Sequence, residues 1–238
     1  MLSKLKSLLG LEKQPNRIYF RGNPYPKGHR IKKFVWSGRL DEDEQLWFDF
    51  HLETDDYDAE DDTEDIEEPE SDWKAKIVWG NYHSCTISST EWHLGGIRIQ
   101  TLNGKFDLDN MQQKELTADT LPLEADFDFD DLAFQIYLLG HDSCANHRIK
   151  FSKNASDNFD IEWRGKIALT YSGEDEFKHD FTALIQDVIF DGFYLPKDFG
   201  LEKAKEVFDR KLNDIDNYQF VDLNPKSNKR EYKLQLRK

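Results

Sequence analysis

The stretch KFVWSGRLDEDEQLWFDFHLE, residues 33–53, carries the clearest fold signal in the chain. Apolar and polar residues alternate on both sides of the acidic run from Asp41 to Glu44. A period of two is typical of a β-strand with one buried face, and a short polar run between two such segments is typical of a turn. Residues 33–40 and 45–53 are therefore predicted to form a strand pair.

The same period recurs along most of the chain. It is seen in WKAKIVWG (residues 73–80), LAFQIYLLG (132–140) and NFDIEWRGKIALTYSG (158–173), with turn-forming residues between the segments. In GIRIQTLNGKFDLD (96–109), Asn103-Gly104 separates two strand-like runs and favours the positive φ angles of a type I′ hairpin. All of these segments are predicted to be strands.

A clear helical period occurs near the C-terminus. In LEKAKEVFDRKLNDI (201–215), one apolar stripe is formed by Leu201, Ala204, Phe208, Leu212 and Ile215. The fold prediction is a mainly β protein, with antiparallel sandwich-like sheets and one C-terminal amphipathic helix near 201–215.

The sequence also suggests an internal duplication. FVWSGRL (34–40) and IEWRGKI (161–167) share a Trp-x-Gly-base pattern, which suggests two related β units, 15–118 and 119–238. A short amphipathic helix is predicted before them, over residues 1–14, because its leucines share one helical face.

The charge of the chain is concentrated in one segment. The formal net charge is -15, and residues 53–72 contain thirteen Asp or Glu with no Lys or Arg, so the remaining 34 acids nearly balance 32 bases. The segment has few apolar residues to bury, and it is predicted to be an acidic mobile loop. The overall sign argues against nucleic acid as a partner, because phosphate binding needs clustered bases.

Compartment is inferred from two features. The start, MLSKLKSLLGLEK, has no apolar run long enough for a secretory signal or a membrane span, so we expect a cytoplasmic protein without an integral membrane segment. Cys85 and Cys144 are too few for a disulfide scaffold and are expected to be reduced and buried.

The leading functional hypothesis is a non-catalytic protein-binding protein. No common nucleotide, nucleophile-elbow or metalloprotease motif is present, and the sequence predicts no catalytic group, metal or cofactor. A concentrated acidic segment steers association with a basic partner, as in an inhibitor or immunity protein that occludes a basic effector. The predicted partner-binding residues are Asp55, Asp56, Asp58, Glu60, Asp61, Asp62, Glu64 and Asp65.

Two alternatives stay open. Trp36, Trp79, Trp92 and Trp163 could stack on sugar rings in a glycan-binding β-sandwich, although burial in the core explains them as well.

The other alternative is a hydrolase or a metal-binding protein. Asp126, Asp128 and Asp130 would share one strand face, as paired carboxylates do in glycosidases, although a solvated acidic face explains the pattern equally. Residues of types that zinc prefers recur at His83, Cys85, His141, Cys144 and His147.

Overall fold

The structure is a computed structural model that describes residues 14–60, 69–100, 104–124, 126–197, 199–228 and 230–237. The predicted N-terminal helix therefore lies outside the described residues, apart from Gln14. The described helices are Lys76–Tyr82 (α1) and Leu201–Lys211 (α2). The strands are Arg17–Phe20 (β1), His29–Leu40 (β2), Leu46–Thr54 (β3), Thr86–Ser88 (β4), Ile97–Arg98 (β5), Glu115–Ala118 (β6), Gln135–Tyr137 (β7), His141–Lys153 (β8), Phe159–Ala168 (β9), His179–Val188 (β10), Phe193–Tyr194 (β11), Tyr218–Asp222 (β12) and Tyr232–Leu236 (β13).

The protein is mainly β, as predicted, but the prediction of sandwich-like sheets is wrong. Eight strands form one antiparallel ring in the order β1, β10, β9, β8, β7, β4, β3 and β2. The ring closes because β2 is long enough to pair with β1 through its first residues and with β3 along the rest. Closing a sheet on itself removes its free edges, so the result is a barrel.

The other strands extend this barrel. β5 pairs with β3 and β6 pairs with β8. On the other side, β11 pairs in parallel with β2, β13 pairs with β11, and β12 pairs with β13. Gly38 of β2 makes this junction possible, because a Cβ atom there would overlap the ring of Phe193.

Aromatic side chains fill the barrel. The rings of Trp36 and Phe50 are parallel with centroids 6.4 Å apart, and Trp36 also lies 4.7 Å from Phe151. Trp163 lies 4.8 Å from Phe134. All five residues are almost fully buried. An eight-stranded barrel has an interior that side chains of this size can occupy completely.

The predictions of individual strands and helices are confirmed where the buried side chains recur at the period that the sequence indicates. The strand pair over 33–40 and 45–53 is present as parts of β2 and β3, and the helix near 201–215 is present as α2, which ends at Lys211. The strand predicted for 73–80 is wrong, because this segment forms a 3-10 turn, Asp72–Lys74, followed by α1. Neither described helix has the length and apolar character needed to cross a membrane.

The hairpin predicted around Asn103-Gly104 is not supported by the pairing of its flanks. Asn103 lies outside the described residues. Ile97 and Arg98 pair with β3, whereas Phe106 forms an isolated bridge with Leu212. The described parts of the two runs therefore pair with other elements and not with each other.

Both predicted units contribute to the same barrel. In the ring, β4, β3, β2 and β1 from residues 15–118 form one four-stranded arc, and β10, β9, β8 and β7 from residues 119–238 form the other. The two arcs join where β1 pairs with β10 and where β4 pairs with β7. The two Trp-x-Gly motifs have similar surroundings: Trp36 and Trp163 are both fully buried, and a Cβ at Gly38 or Gly165 would overlap a phenylalanine ring. A duplication behind this likeness stays a prediction.

Candidate functional site

One end of the barrel is covered by an aromatic cap, made of Phe20, Tyr25, His29, Tyr57, Trp73 and Trp79. The ring of Tyr57 lies 4.7 Å from His29 and 5.0 Å from Trp79, and Trp73 lies 5.2 Å from Trp79. The indole Nε1 of Trp79 donates to the carbonyl of Trp73 at 2.9 Å. These contacts hold α1 against the barrel and explain why an alternating sequence forms a helix here.

The acidic segment starts on this cap and is anchored at its start. Glu53 still belongs to β3, and hydrogen bonds from His51 (2.6 Å) and Lys33 (3.0 Å) lower the pKa of its carboxyl. Tyr57 is buried, and its hydroxyl donates to the carbonyl of Leu138 at 3.1 Å. Sequence reasoning missed Tyr57 as an anchor, because one apolar residue in a run of acids gives no periodic signal.

Four of the predicted partner-binding residues, here called the rim acids, are Asp55, Asp56, Asp58 and Glu60. Asp55 forms an ion pair with Arg30, and Glu60 forms one with Arg17 at 2.5 Å. Asp58 accepts a hydrogen bond from the hydroxyl of Tyr25 at 2.7 Å. The side chain of Asp56 is 53% exposed, 3.8 Å from His83 Nδ1. Asp61, Asp62, Glu64 and Asp65 lie outside the described residues.

Next to the rim acids, five rings contact one another in a row on the surface. This rim string consists of Trp92, His141, Tyr137, Tyr82 and Tyr171. The successive ring centroids are 5.5, 5.3, 6.3 and 6.3 Å apart. Trp92 is 42% exposed and Tyr171 is 63% exposed, so the two ends of the rim string present large apolar faces to solvent.

The fold fixes the rim string through separate elements. Tyr82 ends α1, while Tyr137 and His141 face each other across the β7–β8 hairpin. Tyr171 lies in a 3-10 turn, and its backbone N–H donates to the carboxylate of Asp142 at 3.3 Å. Its ring also covers Gly140, where a Cβ would overlap it. The exposed ring of Tyr171 is therefore held against packed backbone, while Trp92 lies in the loop after β4 and contacts the ring of His141.

The rim string and the rim acids form one continuous surface. His83 directly follows Tyr82, and its carbonyl accepts a hydrogen bond from the N–H of Tyr57 at 2.6 Å. Its ring approaches Asp56. Sequence reasoning missed the rim string as a unit, because its members are spread over residues 82–171. It singled out only Trp92, for stacking on sugars, and His141, as a residue that zinc prefers.

The predicted Cys/His cluster does not assemble into a metal site. His147 is buried with both ring nitrogens engaged: Nδ1 accepts from Trp163 Nε1 at 3.1 Å, and Nε2 donates to the carbonyl of Cys144 at 3.2 Å. Burial raises the pKa of the Cys85 and Cys144 thiols well above the usual value. Within the described residues, no group of three or more His, Cys, Asp or Glu side chains could hold a metal ion.

The predicted acidic strand face does not form either. Asp128 precedes the 3-10 turn Phe129–Asp131, and its carboxylate accepts from the N–H of Asp130 at 3.0 Å. Asp128 caps a turn that contains Asp130, so Asp126, Asp128 and Asp130 do not lie side by side on a strand.

Three of the four tryptophans proposed to stack on sugars are fully buried, namely Trp36, Trp79 and Trp163, which removes them as sugar-stacking platforms. Trp92 remains, as one end of the rim string.

The described chain thus offers a surface row of aromatic rings with the half-exposed carboxylate of Asp56 at its margin. Comparisons with protein-family models, curated proteins and solved structures gave no match.

Proposed function

We propose that this chain is a non-catalytic protein-binding protein that docks a basic partner on the rim string and the rim acids. The observation that carries this proposal is the row of five contacting rings, which is exposed at both ends and contributed by four separate parts of the fold. Tyrosine and tryptophan are enriched at the energetic centres of protein interfaces, since they bury a large area with little loss of conformational freedom.

The charge of the margin indicates the sign of the partner. Asp56 has a half-exposed carboxylate beside the rim string, and six further acids follow within residues 61–68 of the sequence. A concentrated run of carboxylates attracts a basic surface over a distance and accelerates encounter more than it tightens the complex. An acidic inhibitor that occludes a basic cytoplasmic effector, in the manner of an immunity protein, fits this arrangement.

The first test removes the two exposed ends of the rim string. A partner protein would first be captured from native cytoplasm with the wild type. Its binding affinity would then be measured for the wild type and for Trp92→Ala/Tyr171→Ala. We expect a basic captured protein and a loss of about 2 kcal/mol of binding free energy or more for each interface aromatic removed. Ile189→Ala is the matched control, because Ile189 is 68% exposed beyond the opposite end of β10 and should not change binding.

The second arm tests the acids separately. Asp61, Asp62, Glu64 and Asp65 would be replaced by Asn or Gln, which is gentler than deleting residues 53–72, because that deletion would remove buried Tyr57. The association rate at low salt should fall about tenfold, and its salt dependence should weaken. A partner that binds the aromatic double variant as tightly as the wild type would refute the docking surface. An unchanged association rate would refute the role of the acids.

A further inference from the structure

The outer wall of the barrel holds a second surface of opposite charge. An open cleft of about 710 Å³ lies over β8, β9, β10 and β1, and residues 21–26 form one of its sides. Its charged lining consists of four bases and one acid, in a chain whose formal net charge is -15. These lining groups are Arg21, Arg148, Arg164, Lys166 and Asp180.

Strand register places the bases side by side. Arg148 of β8 and Arg164 of β9 are direct cross-strand partners, and both side chains point outward. Lys166 follows two residues later on the same face, about 6.5 to 7 Å along the strand. A bulge in β8 between Ala145 and Arg148 sets this register, with Asn146 in the left-handed region at φ 54°.

Placing Arg148 directly opposite Arg164 does not stabilise the sheet. Like charges directly opposite each other on a sheet are destabilising. Each arginine has one carboxylate outside the cleft: Glu115 lies 3.6 Å from Arg148, and Glu162 pairs with Arg164. The two side chains are nevertheless 59% and 62% exposed, and such surface pairs leave guanidinium donors for a ligand.

The remaining charges of the cleft pair with each other. Lys166 contacts Asp180 at 2.9 Å, and Arg21 lies 3.6 Å from the same carboxylate while staying 84% exposed. Asp180 therefore neutralises about one of these two bases. With Glu115 and Glu162 counted against Arg148 and Arg164, about one positive charge remains in the cleft, and Glu115 is shared with Lys150 at 3.4 Å.

We propose that this cleft binds the phosphoryl group of a small phosphorylated molecule. One phosphoryl group offers three acceptor oxygens and nearly two negative charges, enough for two guanidinium forks and an ammonium together, whereas a carboxylate offers two oxygens and one charge. The volume of the cleft lies in the range of small-molecule sites. Asn23, Asn146 and Thr182 add neutral hydrogen-bonding groups to the lining. This site does not depend on the proposed protein partner.

The test is calorimetric titration of the full chain with tripolyphosphate as the probe. Arg148→Gln/Arg164→Gln should weaken binding about a hundredfold, since hydrogen bonds to charged groups contribute about tenfold or more each. Arg98→Gln/Lys203→Gln is the matched control, because it makes the same change in net charge outside the cleft. Arg164→Lys keeps the charge but lacks the planar guanidinium fork, and it should weaken binding about tenfold. This single variant tests the site even if the double variant fails to fold.

Three results would overturn the assignment. Tripolyphosphate could fail to bind the wild type, or the control pair could lose as much affinity as the cleft pair. A hexaglutamate peptide that binds as tightly as tripolyphosphate would replace the phosphoryl assignment with a general preference for anions.

Discussion

At the residue scale, His147 is a neutral imidazole held inside the barrel. Trp163 donates a hydrogen bond to Nδ1 of His147, and Nε2 of His147 donates one to a backbone carbonyl. Both ring nitrogens are therefore hydrogen-bonded in the neutral form of the imidazole. Burial lowers the pKa of His147 from its ordinary 6.5 to about 3. The only carboxylate recorded within 4 Å of its ring among the described residues is that of Asp119, at 3.9 Å, and burial raises the pKa of Asp119.

This geometry gives His147 a defined effect on stability against pH. Below about pH 6.5, His147 binds a proton in the unfolded chain but stays neutral in the folded chain. Acid therefore favours unfolding as the pH falls to about 3. Between pH 7 and pH 5 the loss is about 2 kcal/mol. In denaturant unfolding at these two pH values, His147→Gln should lose about 2 kcal/mol less than the wild type.

The matched control for this prediction is Asn81→Gln, because Asn81 is exposed and its amide does not titrate. It should keep the pH dependence of the wild type. Equal pH dependence in the wild type and His147→Gln would mean that His147 is accessible to protons in the folded state.

At the element scale, β2 decides the topology. It pairs with β1 at its start, with β3 along its length and with β11 near its end. Gly38 permits the last of these contacts: its N–H donates to the carbonyl of Gly192 at 2.9 Å, and the ring of Phe193 occupies the space where a side chain would lie. Through this junction, β11, β13 and β12 attach to the barrel.

We therefore expect Gly38→Ala to lower the free energy of unfolding by about 1 to 3 kcal/mol, as overpacking does in other cores. Chemical denaturation followed by tryptophan fluorescence would measure it. Gly104→Ala is the control, because a Cβ at Gly104 meets nothing within 4 Å, and it should stay within about 0.5 kcal/mol of the wild type. A Gly38→Ala protein as stable as the control would mean that Phe193 moves aside without cost.

At the scale of the whole molecule, the barrel depends on both halves of the chain. β1 pairs with β10, β4 with β7, and β6 with β8 across the boundary at residues 118 and 119. Separating the halves would expose unpaired strand edges on each fragment, together with the aromatic faces that fill the barrel.

Fragments 1–118 and 119–238 should accordingly be unfolded or aggregated when each is produced alone. Amide proton dispersion in NMR spectra would show this, and mixing the two fragments from denaturant should restore dispersed signals. A folded spectrum from either fragment alone would show that it is an independent unit, as the predicted duplication implies.

The part of the fold that could be predicted is the part decided by local period. Residues 36–40 and 46–52 bury mostly alternate side chains, with Asp49 as the exception because it is buried between Phe48 and Phe50. Helix α2 buries Ala204, Val207 and Phe208 along one face. The alternation of residues 73–80 led to the wrong prediction of a strand, because Trp73 and Trp79 pack in the aromatic cap while Ile77 is 74% exposed. Contacts with Phe20, Tyr57 and His179 decide this segment, and a local pattern does not contain them.

Barrel closure and the candidate sites could not be predicted for a related reason. A sandwich and a barrel use the same alternating strands, and they differ in which distant strands pair, such as β1 with β10. Arg148 and Arg164 meet through strand register, which depends on the bulge in β8. The rim string likewise exists only after β7, β8 and α1 are placed together.

The uneven burial of the tryptophans makes the chain its own optical probe. Trp36, Trp79 and Trp163 are fully buried, Trp73 nearly so, and Trp47 partly, while Trp92 is 42% exposed in the rim string. A small neutral quencher such as acrylamide would reach Trp92 far more readily than the four buried indoles. A partner that covers the rim string should shield this emission, so occupancy of the surface can be followed by fluorescence without any added label.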